Sequence, residues 1–337
     1  MSTSGNVSLV TTKFIGDDTV AELADWTSVI DALDVAYRRD VSDAMVPPRT
    51  MARGDGFWMR TLSAISPSGG YFGLKIIAAG PRAKRASYLI PLWDQKTMDL
   101  AALIDGNRIT GYRTAGTAAV AVNWLAKDGP LDVAVIGSGF EARGLLSALL
   151  ARRVVRSARV FSPTEAKRVA FAAEFAAQHG LVISAAASAE EAVAGADVVL
   201  CAARSYDETP VLKGAWVAPG AVIVSVGSTL PEQREIDAEA IARAALVVAD
   251  MPEEVLHETG DAMAAAREGI DLAAKLVSLS DIGTGKVTAR KSDQDIVIYK
   301  SVGSALQDVV IAEMILERAL AAGTYFEMPE SIHTIIK

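Results

Sequence analysis

Apolar residues follow two different rhythms along the chain. Over residues 17–39 they recur at helical spacing (Val20, Leu23, Val29, Ile30, Leu33, Tyr37), and Asp25 is placed to cap a helix that starts at Trp26. After "VPPRT" come short or alternating apolar runs, "FWMRTLSAI", "YFGLKIIAA", "SYLIPLWD" and "MDLAALI", separated by Gly, Pro or Asp-Gln-Lys punctuation. That pattern predicts antiparallel strands joined by short loops. From Leu131 the rhythm changes. Six apolar runs, "DVAVIG", "SARVFS", "LVISAAA", "ADVVLCAA", "AVIVSVG" and "ALVVAD", alternate with helical segments such as "EARGLLSALLARR" and "EAKRVAFAAEFAAQHG". Strands joined by helical crossovers predict an α/β fold with a doubly wound parallel sheet. Near Val287 the chain turns polar, and "IVIYKSVGSALQDVVIAEMILERAL" then predicts a strand and a long amphipathic helix that packs back onto the first domain.

Size and composition narrow the classes. A chain of 337 residues exceeds the usual single core, so two domains are expected, and 51% apolar against 22% charged residues excludes global disorder. No uncharged apolar run is long enough to cross a bilayer, and the start "MSTSGNVSLVTTKF" lacks the features of a signal peptide. The expectation is a soluble, cytoplasmic protein with no membrane partner. A net charge of −8 without a basic stripe argues against nucleic acid. The single cysteine, Cys201, has no partner for an internal disulfide and reads as core packing; no Cys/His cluster has metal-ligand spacing, so no metal is expected. His179, His257 and His333 lie far apart with no serine or cysteine elbow nearby, which argues against a nucleophilic triad.

The strongest local chemistry follows the first strand of the alternating region. In "VAVIGSGFEARG", Gly137, Gly139 and Ala142 form G-x-G-x-x-A: Gly137 for the tight turn, Gly139 for backbone approach to a pyrophosphate, Ala142 for close helix packing. The whole turn, Gly137, Ser138, Gly139, Phe140, Glu141 and Ala142, is a candidate dinucleotide site. The second strand ends in "VFSPTEAKR" where NAD-binding chains carry a carboxylate. Ser162 and Thr164 can bond a 2′-phosphate and Lys167 or Arg168 can balance its charge, which tilts the cofactor, NAD(P), towards NADP; the competing reading makes both cations the solvated face of a helix.

Three cations stand out elsewhere. Arg113, in "DGNRITGYRTAGTAA", stands where a strand-like run meets the Ala-rich helix "AGTAAVAVNWLA", and either snorkels to water or meets an anion. Lys75, isolated in "FGLKIIAAG", reads unaided as an edge-strand gatekeeper or a functional ammonium, and Arg49, after two prolines, as solvent-facing. The run "RAKR", Arg82 to Arg85, reads as a charged hairpin in solvent rather than the seat of a second carboxylate.

With "VPPRT", "GLKII", "DGNRITGYRTAGTAA", "VIGSGFEA", "SVGSTLPEQREID" and "YKSVGSALQD" in this order, the chain resembles the ornithine cyclodeaminase/mu-crystallin family, which also contains alanine dehydrogenases and ketimine or imine reductases. The resemblance implies a homodimer, with residues 1–115 as an α+β substrate-binding and dimerisation domain, 116–300 as NAD(P)-binding Rossmann domain and 301–337 as a C-terminal helical segment that returns to complete the first. It implies that Arg49, Lys75 and Arg113 hold a substrate carboxylate beside the nicotinamide, and that Val226, Gly227, Ser228, Val302 and Gly303 lie near the nicotinamide half of the cofactor. There are departures. Thr229 stands where cyclodeaminases carry an acid/base aspartate, Ala203 replaces a family threonine, and Lys300 replaces an aspartate. A threonine hydroxyl is no proton acceptor near neutral pH, so Thr229 favours the reductase branch. The implied activity is NAD(P)H-dependent reduction of an α-imino acid to an L-amino acid, from a cyclic ketimine such as pyrroline-2-carboxylate or an acyclic imine such as iminosuccinate or iminopropionate. The alternatives are a cyclodeaminase with bound NAD and a mu-crystallin-like NADP-dependent binder of small ligands.

Overall fold

Each of the predicted strand runs ends up in one of two sheets. The computed structural model describes residues 11–332 and 334–335; His333 and residues 1–10 at the amino-terminal start lie outside the described residues. Among those described, the strands are β1 (Lys13–Ile15), β2 (Thr50–Arg53), β3 (Trp58–Ile65), β4 (Tyr71–Gly80), β5 (Arg85–Asp94), β6 (Leu100–Asp105), β7 (Leu131–Ile136), β8 (Val155–Phe161), β9 (Ile183–Ala185), β10 (Val198–Cys201), β11 (Val222–Ser225), β12 (Ala244–Ala249), β13 (Leu276–Ser278), β14 (Ile296–Lys300) and β15 (Phe326–Glu327). The α-helices are α1 (Asp17–Leu23), α2 (Trp26–Tyr37), α3 (Asn107–Leu125), α4 (Phe140–Arg152), α5 (Glu165–His179), α6 (Ala189–Val193), α7 (Ala238–Arg243), α8 (Pro252–Glu258), α9 (Gly260–Arg267), α10 (Leu279–Gly283) and α11 (Ala305–Ala322).

The chain forms two units. One comprises residues 1–25, 41–110 and 305–337, the other residues 26–40 and 111–304. Helix α2, which falls inside the first 115 residues, thus belongs to the second unit, and the boundary near residue 110 lies within α3.

In the first unit the sheet order is β15-β1-β6-β5-β4-β3-β2. The four predicted runs are β3 to β6, paired antiparallel as their short loops require. Asp94 makes the β5–β6 turn by accepting the N–H groups of Lys96 and Thr97 on one carboxylate oxygen. Strand β1 adds a parallel pair with β6, a non-local pairing that no hairpin signal announces. Helix α11 packs on β3, β4 and β5, and its Glu313 accepts the hydroxyls of Ser66 and Ser68 in the β3–β4 turn, at 2.6 Å each.

The second unit carries an eight-stranded sheet, order β13-β12-β14-β11-β10-β7-β8-β9, parallel throughout. The six predicted strands are all present as β7 to β12. Three-residue β13 is too short to show a period, and β14 inserts between β11 and β12. Strands β10, β11 and β14 are buried along their whole length, as a sheet covered on both faces requires. Cys201 sits in this core, fully buried, as its apolar run predicted. The order reverses at β7, with β8 to one side and β10 to the other, which opens a crevice at their carboxyl ends.

One expectation needs correcting. Helix α3 starts at Asn107, so Arg113 lies in its second turn and not at its start. The cause is local: Asp105 accepts the N–H of Asn107 at 2.9 Å, and the Gly106 carbonyl accepts the N–H of Thr110 at 3.0 Å, closing the first turn early. Arg108, in the same stretch, pairs with Asp17.

Candidate functional site

The turn between β7 and α4 lies beside the crevice and has the shape a dinucleotide needs. Gly137 has φ +117°, and a Cβ there would stand 2.8 Å from the Ala202 carbonyl oxygen, so only glycine fits. Its N–H donates to the Phe161 carbonyl at 2.8 Å, locking the turn against β8. Gly139 opens α4 with no side-chain cap, and no atom lies within 4 Å of where its Cβ would be. Uncapped N–H groups, a helix dipole and open space are what an anion takes up. Ala142 is fully buried against the turn. Ser138 donates to the Ser162 hydroxyl at 2.9 Å. Phe140 is exposed and its ring covers Gly111, where a Cβ would come within 2.5 Å of it. Glu141 is half-buried. These residues fit a pyrophosphate.

At the end of β8, Ser162 is buried and Thr164 is exposed at the start of α5. The two cations behind them differ. Arg168 lies over the Phe161 ring and donates to the Ser162 carbonyl at 3.0 Å, whereas Lys167 is exposed.

Across the crevice, the carboxyl ends of β10, β11 and β14 are braced by two carboxylates that sequence reasoning did not single out. Asp250, directly after β12, accepts the Ser301 hydroxyl at 2.6 Å and the N–H groups of Val302 and Gly303 at 3.0 Å each. Glu235 does the same for the ends of β10 and β11. The available signal for Asp250 was an acid closing the apolar run "ALVVA"; for Glu235 there was no signal beyond the motif "QREID". Val226 and Gly227 follow β11, and Ser228 donates to the Gln233 carbonyl at 2.8 Å. Thr229 is half-buried and its N–H donates to Gln233 Oε1 at 2.9 Å.

Gly303 explains the placement of Arg113. With φ +85°, its missing Cβ leaves room for the guanidinium: Arg113 Nη1 lies 2.6 Å and Cζ 3.0 Å from where that Cβ would stand. The planar fork therefore rests on bare backbone at the β14–α11 junction, and the side chain is half-buried rather than trailing into water. Tyr299, fully buried on β14, has its phenol pushed well above the ordinary range by burial and by the Asp250 carboxylate.

Lys75 and Arg49 belong to the other unit. Lys75 is 1% exposed in the interior strand β4, and its Nζ lies 2.8 Å from Asp308 Oδ1 on α11. That burial removes the edge-strand gatekeeper reading. Arg49 directly precedes β2 and is half-buried. The "RAKR" hairpin is in solvent, with Arg82 paired to exposed Asp55. Among the described residues no acid, histidine or cysteine cluster could hold a metal ion, and no helix is long and apolar enough to cross a membrane.

Comparison with known proteins agrees with this architecture. The model of the ornithine cyclodeaminase/mu-crystallin family matches residues 14–323. The chain is 32% identical over 257 residues to a Delta(1)-pyrroline-2-carboxylate reductase of Bacillus cereus, spanning 74% of this chain and 78% of that protein. It is 30% identical over 226 residues to the ketimine reductase mu-crystallin of Rattus norvegicus, spanning 67% of each. A solved structure, Thermococcus litoralis Delta(1)-pyrroline-2-carboxylate reductase in complex with NADH and L-proline, is similar with a TM-score of 0.86 at 27% identity, covering 94% of this chain and 100% of that one. With a matching family model over nearly its whole length and the fold to go with it, the chain belongs to the ornithine cyclodeaminase/mu-crystallin family.

Proposed function

We propose that this protein is an NAD(P)H-dependent oxidoreductase that reduces an α-imino acid to an L-amino acid, the substrate being a cyclic ketimine such as pyrroline-2-carboxylate or an acyclic imine such as iminosuccinate or iminopropionate. The observation that carries the reading is the Arg113 guanidinium resting on Gly303, in the unit that also holds the Gly137 turn. A planar fork on bare backbone is suited to a carboxylate, which it meets with two parallel bonds. The pyrroline-2-carboxylate and ketimine reductases among the relatives support the same chemistry.

Each residue has its task. Gly137, Ser138, Gly139 and the first turn of α4 would hold the pyrophosphate; Val226, Gly227 and Ser228, with Val302 and Gly303, would line the nicotinamide half. Bound reduced nicotinamide supplies the hydride. Arg113 and Arg49 anchor the substrate's carboxylate, and Lys75 orients or protonates the imine nitrogen, because a protonated imine accepts hydride more readily. Thr229 positions rather than titrates, since its N–H is engaged by Gln233 and its hydroxyl is no base. This disfavours the cyclodeaminase alternative.

The dinucleotide is NADP in this reading. Supporting it is Arg168, whose guanidinium donates to the Ser162 carbonyl at the end of β8 and would balance a 2′-phosphate there. The protein works as a homodimer in this reading, and Phe57 and Met59, 66% and 48% exposed beside a groove of about 650 Å³ on the β2–β5 side of the first sheet, offer apolar side chains that a second copy would cover. A nicotinamide-dependent reaction and one buried cysteine fit the cytoplasm.

The test is turnover. Purified protein with NADPH or NADH is offered pyrroline-2-carboxylate, iminopropionate and iminosuccinate, and cofactor oxidation and amino-acid product are followed together. Reduction of at least one imine is expected. No reduction of any, or sustained ammonia release from ornithine with catalytic NAD and no reductant, overturns the reading.

A further inference from the structure

Glu235 is fully buried and joins the two loops that follow β10 and β11. Its Oε1 accepts the N–H of Ala203, past the end of β10, at 3.0 Å. Its Oε2 accepts the N–H of Gly227, past the end of β11, at 2.7 Å and the hydroxyl of Ser225 at 2.6 Å. A Cβ on Gly227 would collide with both the Glu235 carboxylate and the Ala203 carbonyl, so glycine is needed for the carboxylate to reach this place. The Ala202 carbonyl, one residue away, is the atom against which Gly137 is fitted. One side chain thus sets the spacing of the segments after β10 and β11, beside the segment after β7.

The surrounding charges are few and close. Lys300 on β14 donates to Ser225 Oγ at 2.8 Å and to Asp261 Oδ2 at 2.9 Å. Asp261 on α9 accepts the N–H of Glu235 at 2.8 Å and Arg234 Nε at 3.4 Å. Arg234 also reaches Glu208, and the Cys201 thiol of β10 faces Glu235. Two buried cations, Lys300 and Arg234, therefore stand against two buried carboxylates, Glu235 and Asp261.

We propose that Glu235 is a positioning residue for the dinucleotide: ionised, it clamps the Ala203 and Gly227 loops in the shape that binds, and protonated, it releases them, so that dinucleotide affinity falls towards acid pH. The inference rests on the reading that the dinucleotide lies along these strand ends. The chemistry is a matter of donors and acceptors. Ala203 N–H, Gly227 N–H and the Ser225 hydroxyl all donate to the carboxylate, so an added proton either breaks one of these bonds or turns the Ser225 hydroxyl, which already accepts from Lys300, into its acceptor, and in both cases the charge that strengthens the two N–H bonds is lost. Burial pushes the Glu235 pKa up to about 7, with Lys300 and the Ser225 hydroxyl pulling it down and Asp261 adding to the rise, which brings the change into an accessible range.

The test is direct NADH binding, read by nucleotide fluorescence from about pH 6 to about pH 8.5; NADH is chosen because its pyrophosphate stays ionised throughout. For the unmodified protein, Kd should rise about tenfold at the acid end. Glu235→Gln should bind weakly at every pH with the slope gone. Ser225→Ala, which removes a bond favouring the carboxylate, should move the midpoint to higher pH, and it decides the matter together with the unmodified slope if Glu235→Gln does not fold. A flat profile, or Glu235→Gln with unchanged Kd and slope, overturns the inference and leaves the functional reading standing. Failure of the unmodified protein to bind either NADH or NADPH overturns both.

Discussion

Both units bury a lysine within a strand, and the two lysines are held in different ways. Lys75, in β4, faces the carboxylate of Asp308 at 2.8 Å, a partner supplied by a helix from the far end of the chain. Lys300, in β14, is shared between the Ser225 hydroxyl and Asp261, and Asp261 is itself fastened to the backbone N–H of Glu235. Burying an ammonium is costly unless a counter-charge and hydrogen bonds accompany it. Where the partners are tied to the main chain, as around Lys300, the charge holds a shape. Where the carboxylate stands on a helix distant in sequence, as Asp308 does for Lys75, the pair joins that helix to the strand, and the proposed function gives the ammonium a part in the reaction.

That contrast can be broken. The largest effect is expected from Lys300→Met, which leaves Asp261 and Glu235 with Arg234 as their buried counter-charge and should cost roughly 3–5 kcal/mol of stability. Urea unfolding measures it, and a loss under about 1 kcal/mol means that Lys300 is no brace. Lys75→Met and Arg113→Ala should each lower kcat/KM for the imine about 100-fold or more, roughly 2–4 kcal/mol, with NADH affinity kept. Near-normal kcat/KM in either folded variant removes that residue from the reaction. Gly303→Ala sharpens the point by displacing the guanidinium without deleting it. The added methyl meets Arg113 Nη1, and about a tenfold fall in kcat/KM should follow, together with roughly 1 kcal/mol of backbone strain. Smallest is Ser162→Asp, where a carboxylate beside Arg168 should repel a 2′-phosphate and move the NADPH-to-NADH preference a few-fold towards NADH. A preference that does not move, or unmodified protein that favours NADH strongly, removes the NADP reading.

How much of this was legible depended on whether the signal was periodic. Strands β7, β10 and β11 and the Gly137 turn could be read because buried parallel strands are continuous apolar runs and the turn after β7 needs small residues at fixed steps, and β8, β9 and β12 by their place in the alternation with helices. Strands β1, β13 and β15, of two or three residues, carry no period, and the β1–β6 pairing is set by packing. The start of α3 was misplaced because a capping Asp-Gly is also a common turn. Of the candidate site residues, Lys75 and Arg113 stood out as cations in apolar company. The Glu235, Asp250 and Asp261 braces did not, because an acid that accepts loop N–H groups looks in sequence like any surface acid until the strands are side by side.

The interleaving of the chain segments also dictates an order of events during synthesis. The second unit is drawn almost wholly from residues 111–304 and can assemble once those have emerged, whereas the first needs α11 to cover its sheet. Asp308 reaches Lys75 across 233 positions of sequence. Until α11 has been made, roughly 1 to 4 seconds after residue 304 at ordinary elongation rates, β4 carries an ammonium facing the surface that α11 will cover. A nascent chain stalled short of α11 therefore lacks the Lys75–Asp308 pair whatever its other half has achieved.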